Sequence, residues 1–210
     1  VGNKGCRLTG VTATTGSLSI AQITVDRLDF ERINNGQLPD AVTLRMQDIV
    51  IRNSAVLGPF DVAAEYDLDV RAKVFTLKEL TLRGPSFGEL TLSGEVEGYS
   101  LPDDGGFWPP DEQDTVRLRQ FRLRAVDRGF ISMLLLGQSS SERDRPRWPD
   151  FGVPRPAVEA LTAFVQDLPS PRHPITISAT PSAPIPLARL DPTDPGLRQA
   201  MERLNLVVTY

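Results

Sequence analysis

The chain has 210 residues, a net charge of −4, 24% charged and 40% hydrophobic residues, one cysteine and one histidine. A chain of this length buries roughly 70% of its unfolded surface, so its core requires neither disulfide nor metal. The acidic balance excludes a general nucleic-acid binder, which needs a basic surface to neutralise phosphates, and the count of His and Cys excludes a zinc site built on them.

From Leu18 to Phe30 the apolar residues fall at Leu18, Ile20, Ile23, Val25, Leu28 and Phe30, a spacing of two then three that returns at Val42, Leu44, Ile49 and Ile51. A period of five residues admits a small β-solenoid. Breaks at Asn34-Asn35-Gly36 and Gly58-Pro59 favour instead a meander of twisted, bulged strands, with Asn35-Gly36 a hairpin signal. The stretch from Phe60 to Arg71 alternates apolar and charged residues with a period of two, the mark of a strand with one wet face. Phe75, Leu77, Leu80 and Leu82 continue it but change parity at Lys78-Glu79, which predicts a bulge or tight turn. Gly84-Pro85 predicts a turn, and Leu90, Leu92 and Val96 a further strand with a bulge or bend at Gly94.

The loop from Leu101 to Asp114 holds Asp103, Asp104, Asp111, Glu112 and Asp114 without a basic residue, and it carries Phe107 and Trp108 between them. Calcium could meet oxygen ligands there, although the DxDxDG spacing is absent; a solvated acidic loop is the simpler reading. In the next strand Arg117, Arg119, Arg122 and Arg124 alternate with Val116, Leu118, Phe121 and Leu123, so an arginine stripe lies opposite the core face. It reads either as an anion-binding surface or as a wet face paired with Glu65, Asp67, Glu95 and Glu97 of neighbouring strands.

Asp127 is positioned to cap a short helix through Phe130, Met133 and Leu134, a run that also fits a buried strand. Residues 137 to 156 read as a linker or exposed loop. A helix follows with Pro156 in its first turn and Ala157, Leu161, Phe164, Val165 and Leu168 on one face. Ile175 and Ile177 form a strand. Pro181, Pro184 and Pro186 place the next stretch at a sheet edge or outside the sheet, because proline donates nothing to a ladder. Asp194-Pro195 opens a helix carrying Leu197, Ala200, Met201 and Leu204, and a strand closes from Leu206 to Thr209.

These elements predict an α+β fold: a mainly antiparallel, twisted sheet, a meander with bulges, with two or three helices packed on one face or end. A β-rich region over residues 1–126 and an α+β closing region over 127–210 are expected to form one continuous domain. No apolar run approaches the roughly 20 residues that span a bilayer. Membrane contact is therefore expected only peripherally, or through an N-terminal signal or anchor that this sequence does not contain.

Little catalytic chemistry stands out. His173 lies in a proline-rich turn without an obvious partner, and Cys6 lacks a neighbouring His or a CxxC pair. Asp67 and Asp69 share a strand face, yet nothing singles them out as an acid/base pair. The expectation is a non-enzyme without cofactor or metal.

The strand pattern of Val42-Thr43-Leu44-Arg45-Met46-Gln47-Asp48-Ile49-Val50-Ile51, followed by Leu90-Thr91-Leu92-Ser93-Gly94-Glu95-Val96-Glu97-Gly98, resembles the β-rich modules of AsmA-like and tubular-lipid-binding envelope proteins of Gram-negative bacteria. The stretch from Asp127 through Ala160-Leu161 to Pro186 is similar in layout to uncharacterised alphaproteobacterial envelope proteins. That resemblance implies a periplasmic location, no catalysis and contact with lipid or another hydrophobic ligand. The alternative is an interaction module that binds a protein partner through Arg117, Arg119, Arg122, Arg124 and the loop bearing Phe107 and Trp108.

Overall fold

The structure, a computed structural model, describes residues 4–13, 17–28, 32, 34, 39–51, 58–85, 88–99, 115–129, 151–168, 170–191 and 193–210. Seven strands follow one another as a meander: β1 (Lys4–Thr12), β2 (Leu18–Leu28), β3 (Ala41–Ile51), β4 (Phe60–Asp69), β5 (Val74–Gly84), β6 (Gly88–Glu97) and β7 (Arg117–Asp127). Helix α1 (Arg155–Asp167) precedes β8 (Ile175–Ala179) and the two-residue β9 (Ile185–Pro186); a 3-10 turn (Leu187–Leu190), α2 (Leu197–Arg203) and β10 (Val207–Thr209) complete the order. All ten strands belong to one antiparallel sheet in the order β1-β2-β3-β4-β5-β6-β7-β8-β10, with β9 also paired to β7.

This corrects the α+β expectation. The fold is sheet-dominated, with 55% of the described residues in strands and two α-helices given bounds among them. The described helices form no layer over the sheet. They serve only its far end, where both clusters of buried residues that include helical side chains draw on β6 to β10. Strands after residue 127 extend the sheet formed before it, because β8 pairs along β7 from Phe121 to Ala125 and β9 pairs with Arg117 and Leu118. Pro186 is tolerated there since β9 is bonded on one side only.

Bulges set the strand pattern. At Lys78-Glu79 the register shifts against both β4 and β6, which returns Leu80 and Leu82 to the side of Phe75 and Leu77. The two-then-three spacing in β3 has its cause at Asp48, a left-handed residue (φ 51) whose N–H donates to Asp61 Oδ1 at 2.9 Å. The register of β3 shifts there against β4, between Met46 and Ile49, while against β2 it holds, with Leu44 opposite Val25 and Ile49 opposite Ile20.

In α1, Ala157 and Phe164 are buried and Leu161 and Leu168 pack against the same cluster. Val165, expected on that face, is 53% exposed. It stands eight residues beyond Ala157, a rotation of about 80° off the buried stripe. Helix α2 starts two residues later than expected: Asp194 precedes the helix and its Oδ1 accepts the N–H of Gly196 at 2.5 Å. Asp127 ends β7, where its carboxylate accepts the N–H of Gly129 at 3.2 Å. The helix expected at Phe130 to Leu134 lies outside the described residues, as does the Asn35-Gly36 turn.

Candidate functional site

The register aligns apolar side chains into rows that cross the whole sheet. One row runs Leu8, Ile23, Met46, Val62, Leu82 and Leu90 to Ala125 and Ile175. A second runs Cys6, Val25, Leu44, Ala64, Leu80 and Leu92 to Leu123 and Ile177. At the β7 to β10 end, Ala157 and Phe164 of α1 cover the rows at Ala125 and Ile175, while Ala200 of α2 and the adjoining Leu204 pack beside them on Leu118, Ala179 and Ile185. From β2 to β5 the members of both rows are only half-buried. Among the described residues nothing further covers these rows from β2 to β5, and contiguous apolar surfaces of this kind are where apolar ligands or partners are usually looked for.

Next to these rows, rings gather at the β4–β5 hairpin. Tyr66 and Phe75 have centroids 5.4 Å apart, and Phe75 and Tyr99 6.1 Å. Burial pushes the Tyr66 phenol above its ordinary pKa, reinforced by the nearby Tyr99, and burial raises Tyr99 too. A folded pKa above the unfolded value means that the neutral phenol is favoured by folding. This stability is fully present below pH 10.0 and is lost as pH rises through the folded pKa values. Alkaline titration followed by tyrosinate absorbance and circular dichroism is expected to show stability falling above that pH, and Tyr66→Phe to reduce the fall.

The opposite face is polar and largely self-neutralised. Arg119 lies 2.6 Å from Glu95 and 3.6 Å from Glu97. Arg124 lies 3.3 Å from Glu89, which also takes Arg83 at 2.6 Å. Glu65 and Asp67 are held by Arg27 and Lys78 rather than by the stripe, and the two carboxylates, Asp67 first, raise the pKa of Lys78. Pairs this exposed contribute about 0.2–1 kcal/mol each. Arg117 sits opposite Glu97, and Arg122 between Ser93 and Ser178, with no ion pair for either among the described residues. Arg122 opens onto a cavity of about 550 Å³ shared with Thr76, Thr176, Thr180 and Thr209.

The four arginines thus lie on one strand face, two of them in ion pairs and two without one among the described residues. Phe107, Trp108 and the acidic residues of their loop lie outside the described residues. His173 packs its ring against Tyr210 at 6.2 Å, and Cys6 is half-buried opposite Val25. Tyr210 donates to Asp167 Oδ2 at 2.6 Å and accepts the N–H of Arg172 at 3.1 Å, so His173 lies beside a hydrogen-bonded tie between α1 and the sheet. Among the described residues there is no group of three or more metal-ligating side chains, and no helix is long and apolar enough to cross a membrane.

Two features escaped the sequence reading. A second cavity, of about 530 Å³, gathers Arg83, Glu89, Arg124, Arg128, Asp48 and Asp61 from β3 to β7, and only the bulge at Asp48 with the register could have brought them together. The other is the length of the apolar surface, signalled in part by the repeated alternation. No family model, curated protein or solved structure matches the chain, and these comparisons do not link it to the AsmA-like proteins.

Proposed function

We propose that this chain is a non-enzymatic cell-envelope protein that holds an acyl chain, or another elongated apolar ligand, along the apolar face of β2 to β5. The observation that carries the reading is the pair of cross-strand rows, continuous from the helix-covered end to side chains that remain half-exposed. An extended hydrocarbon matches rows of Leu, Val and Met at the strand spacing of about 4.8 Å, gaining roughly 25 cal/mol per Å² of apolar surface removed from water. The periplasmic location rests on the family resemblance alone, with membrane contact either peripheral or through an N-terminal signal or anchor outside this sequence.

The test is uptake of a fluorescent fatty acid by the purified chain, with native mass spectrometry for co-purified lipid. Saturable binding is expected. Leu80→Asp, between Ala64 and Leu92, is expected to weaken it at least about tenfold, since a carboxylate there must be desolvated by the ligand. Arg119→Gln on the polar face is expected to leave it unchanged. A protein that binds no probe, or a Leu80→Asp variant that binds as well as the parent, contradicts the reading. Arg117 and Arg122, free of ion pairs among the described residues, favour a second reading in which an acidic protein segment docks on the polar face.

A further inference from the structure

The sheet ends in two unlike edges. β10 contributes three residues, and β1 nine. Along those nine, β1 is bonded to β2 on one side, and among the described residues nothing pairs with its other side. A long open edge presents a row of backbone donors and acceptors to any passing strand, and folded proteins usually blunt it with proline, inward charges or a cover. Lys4–Thr12 has no proline and no acidic residue; its cations are Lys4 and Arg7, and its one register shift against β2 lies at its start, between Lys4 and Cys6, so Cys6–Thr12 keeps a single register. Leu8 stands opposite Ile23 in an apolar row yet is 52% exposed, with no described strand on its outer flank.

From these observations we infer that β1 pairs with β1 of a second copy of the chain about a two-fold axis normal to the sheet, giving one continuous antiparallel sheet. Three features select this occupant. Rotation about such an axis makes the new pair antiparallel, like every other pair in the sheet, and keeps both apolar faces on one side. The three residues of β10 cannot receive nine, which disfavours a head-to-tail array. Pairing centred on Leu8 sets Leu8 against Leu8, Arg7 against Thr9 and Lys4 against Thr12, with no like charges opposed; a slip to Arg7 sets Arg7 against itself. The inference is independent of what the apolar face binds.

Size-exclusion chromatography with light scattering, run over a wide range of concentration, is expected to give twice the 23.1 kDa of one chain. Leu8→Lys is expected to return the mass of one chain with an unchanged circular dichroism spectrum. In a Cys6→Ser background, Leu8→Cys is expected to form a disulfide-linked dimer on mild oxidation, because directly opposed residues in an antiparallel pair lie about 4.5–5.5 Å apart at Cα, within disulfide reach. Thr12→Cys in the same background is expected not to. A parent chain that is monomeric at every concentration overturns the inference. So does a dimer that survives Leu8→Lys, or crosslinking that occurs in the Thr12→Cys variant and not in the Leu8→Cys variant.

Discussion

Phe164→Ala is expected to cost about 3–5 kcal/mol, a large part of the roughly 5–15 kcal/mol that holds a domain folded. Phe164 is 4% exposed and lies at the centre of the cluster formed by Ala157, Ile175, Val208 and Ala125. Its ring meets that of Tyr210 edge-on at 5.4 Å and 81°. Truncation removes the burial of a whole ring and leaves a cavity between α1 and a sheet whose positions cannot close on it. Denaturant unfolding followed by tryptophan fluorescence and by far-ultraviolet circular dichroism reads the loss. A change under about 1 kcal/mol would mean that α1 contributes little to the core.

The second large effect is expected at a glycine. Gly88 opens β6 opposite Asp127 of β7 with φ +96, and a Cβ there would be driven into the carbonyl oxygen of Val126. Gly88→Ala therefore combines an unfavourable backbone region, about 1–2 kcal/mol, with a clash against a strand that the ladder holds in place, about 1–3 kcal/mol more. Gly10 provides the comparison, because at φ +64 nothing lies within 4 Å of the added atom. Gly10→Ala is expected to show the backbone cost alone, about 1–2 kcal/mol. Unfolding midpoints of the two variants side by side test the difference; equal losses would show that the Val126 carbonyl yields.

Much of the sheet was legible in the sequence because each strand keeps one wet face. Alternation located β4, β5 and β6, and the parity change at Lys78-Glu79 located their shared bulge. The periodicity of residues 155–168 located α1, though an exposed valine at 165 cannot be told from a buried one by residue type. β1 was not legible: its alternation is only Cys6 and Leu8 before Gly10 shifts the apolar parity to Val11, and as an edge strand it needs fewer apolar residues to hold its place. The fold class failed for a different reason. Two helices are visible in the sequence, but their share of the sheet is not, and the number of strands that join one ladder is a property of register. The same holds for the site. The arginine stripe could be read along one strand, while its division into Arg119 and Arg124, in ion pairs, and Arg117 and Arg122, without one among the described residues, depends on which acids the neighbouring strands bring near.

From β1 to β7 the order of strands in space is their order along the chain. Each strand in that run is bonded to those immediately before and after it, so assembly proceeds by adding one hairpin to the last, and loop-closure entropy stays small at every step until β8 returns to β7. A sheet built in this way behaves as a row of coupled units. Cooperativity is then expected to decay with distance along the row, so that in a single chain the β1 end opens before the ladder under the helices. A second copy paired on β1 would close that end.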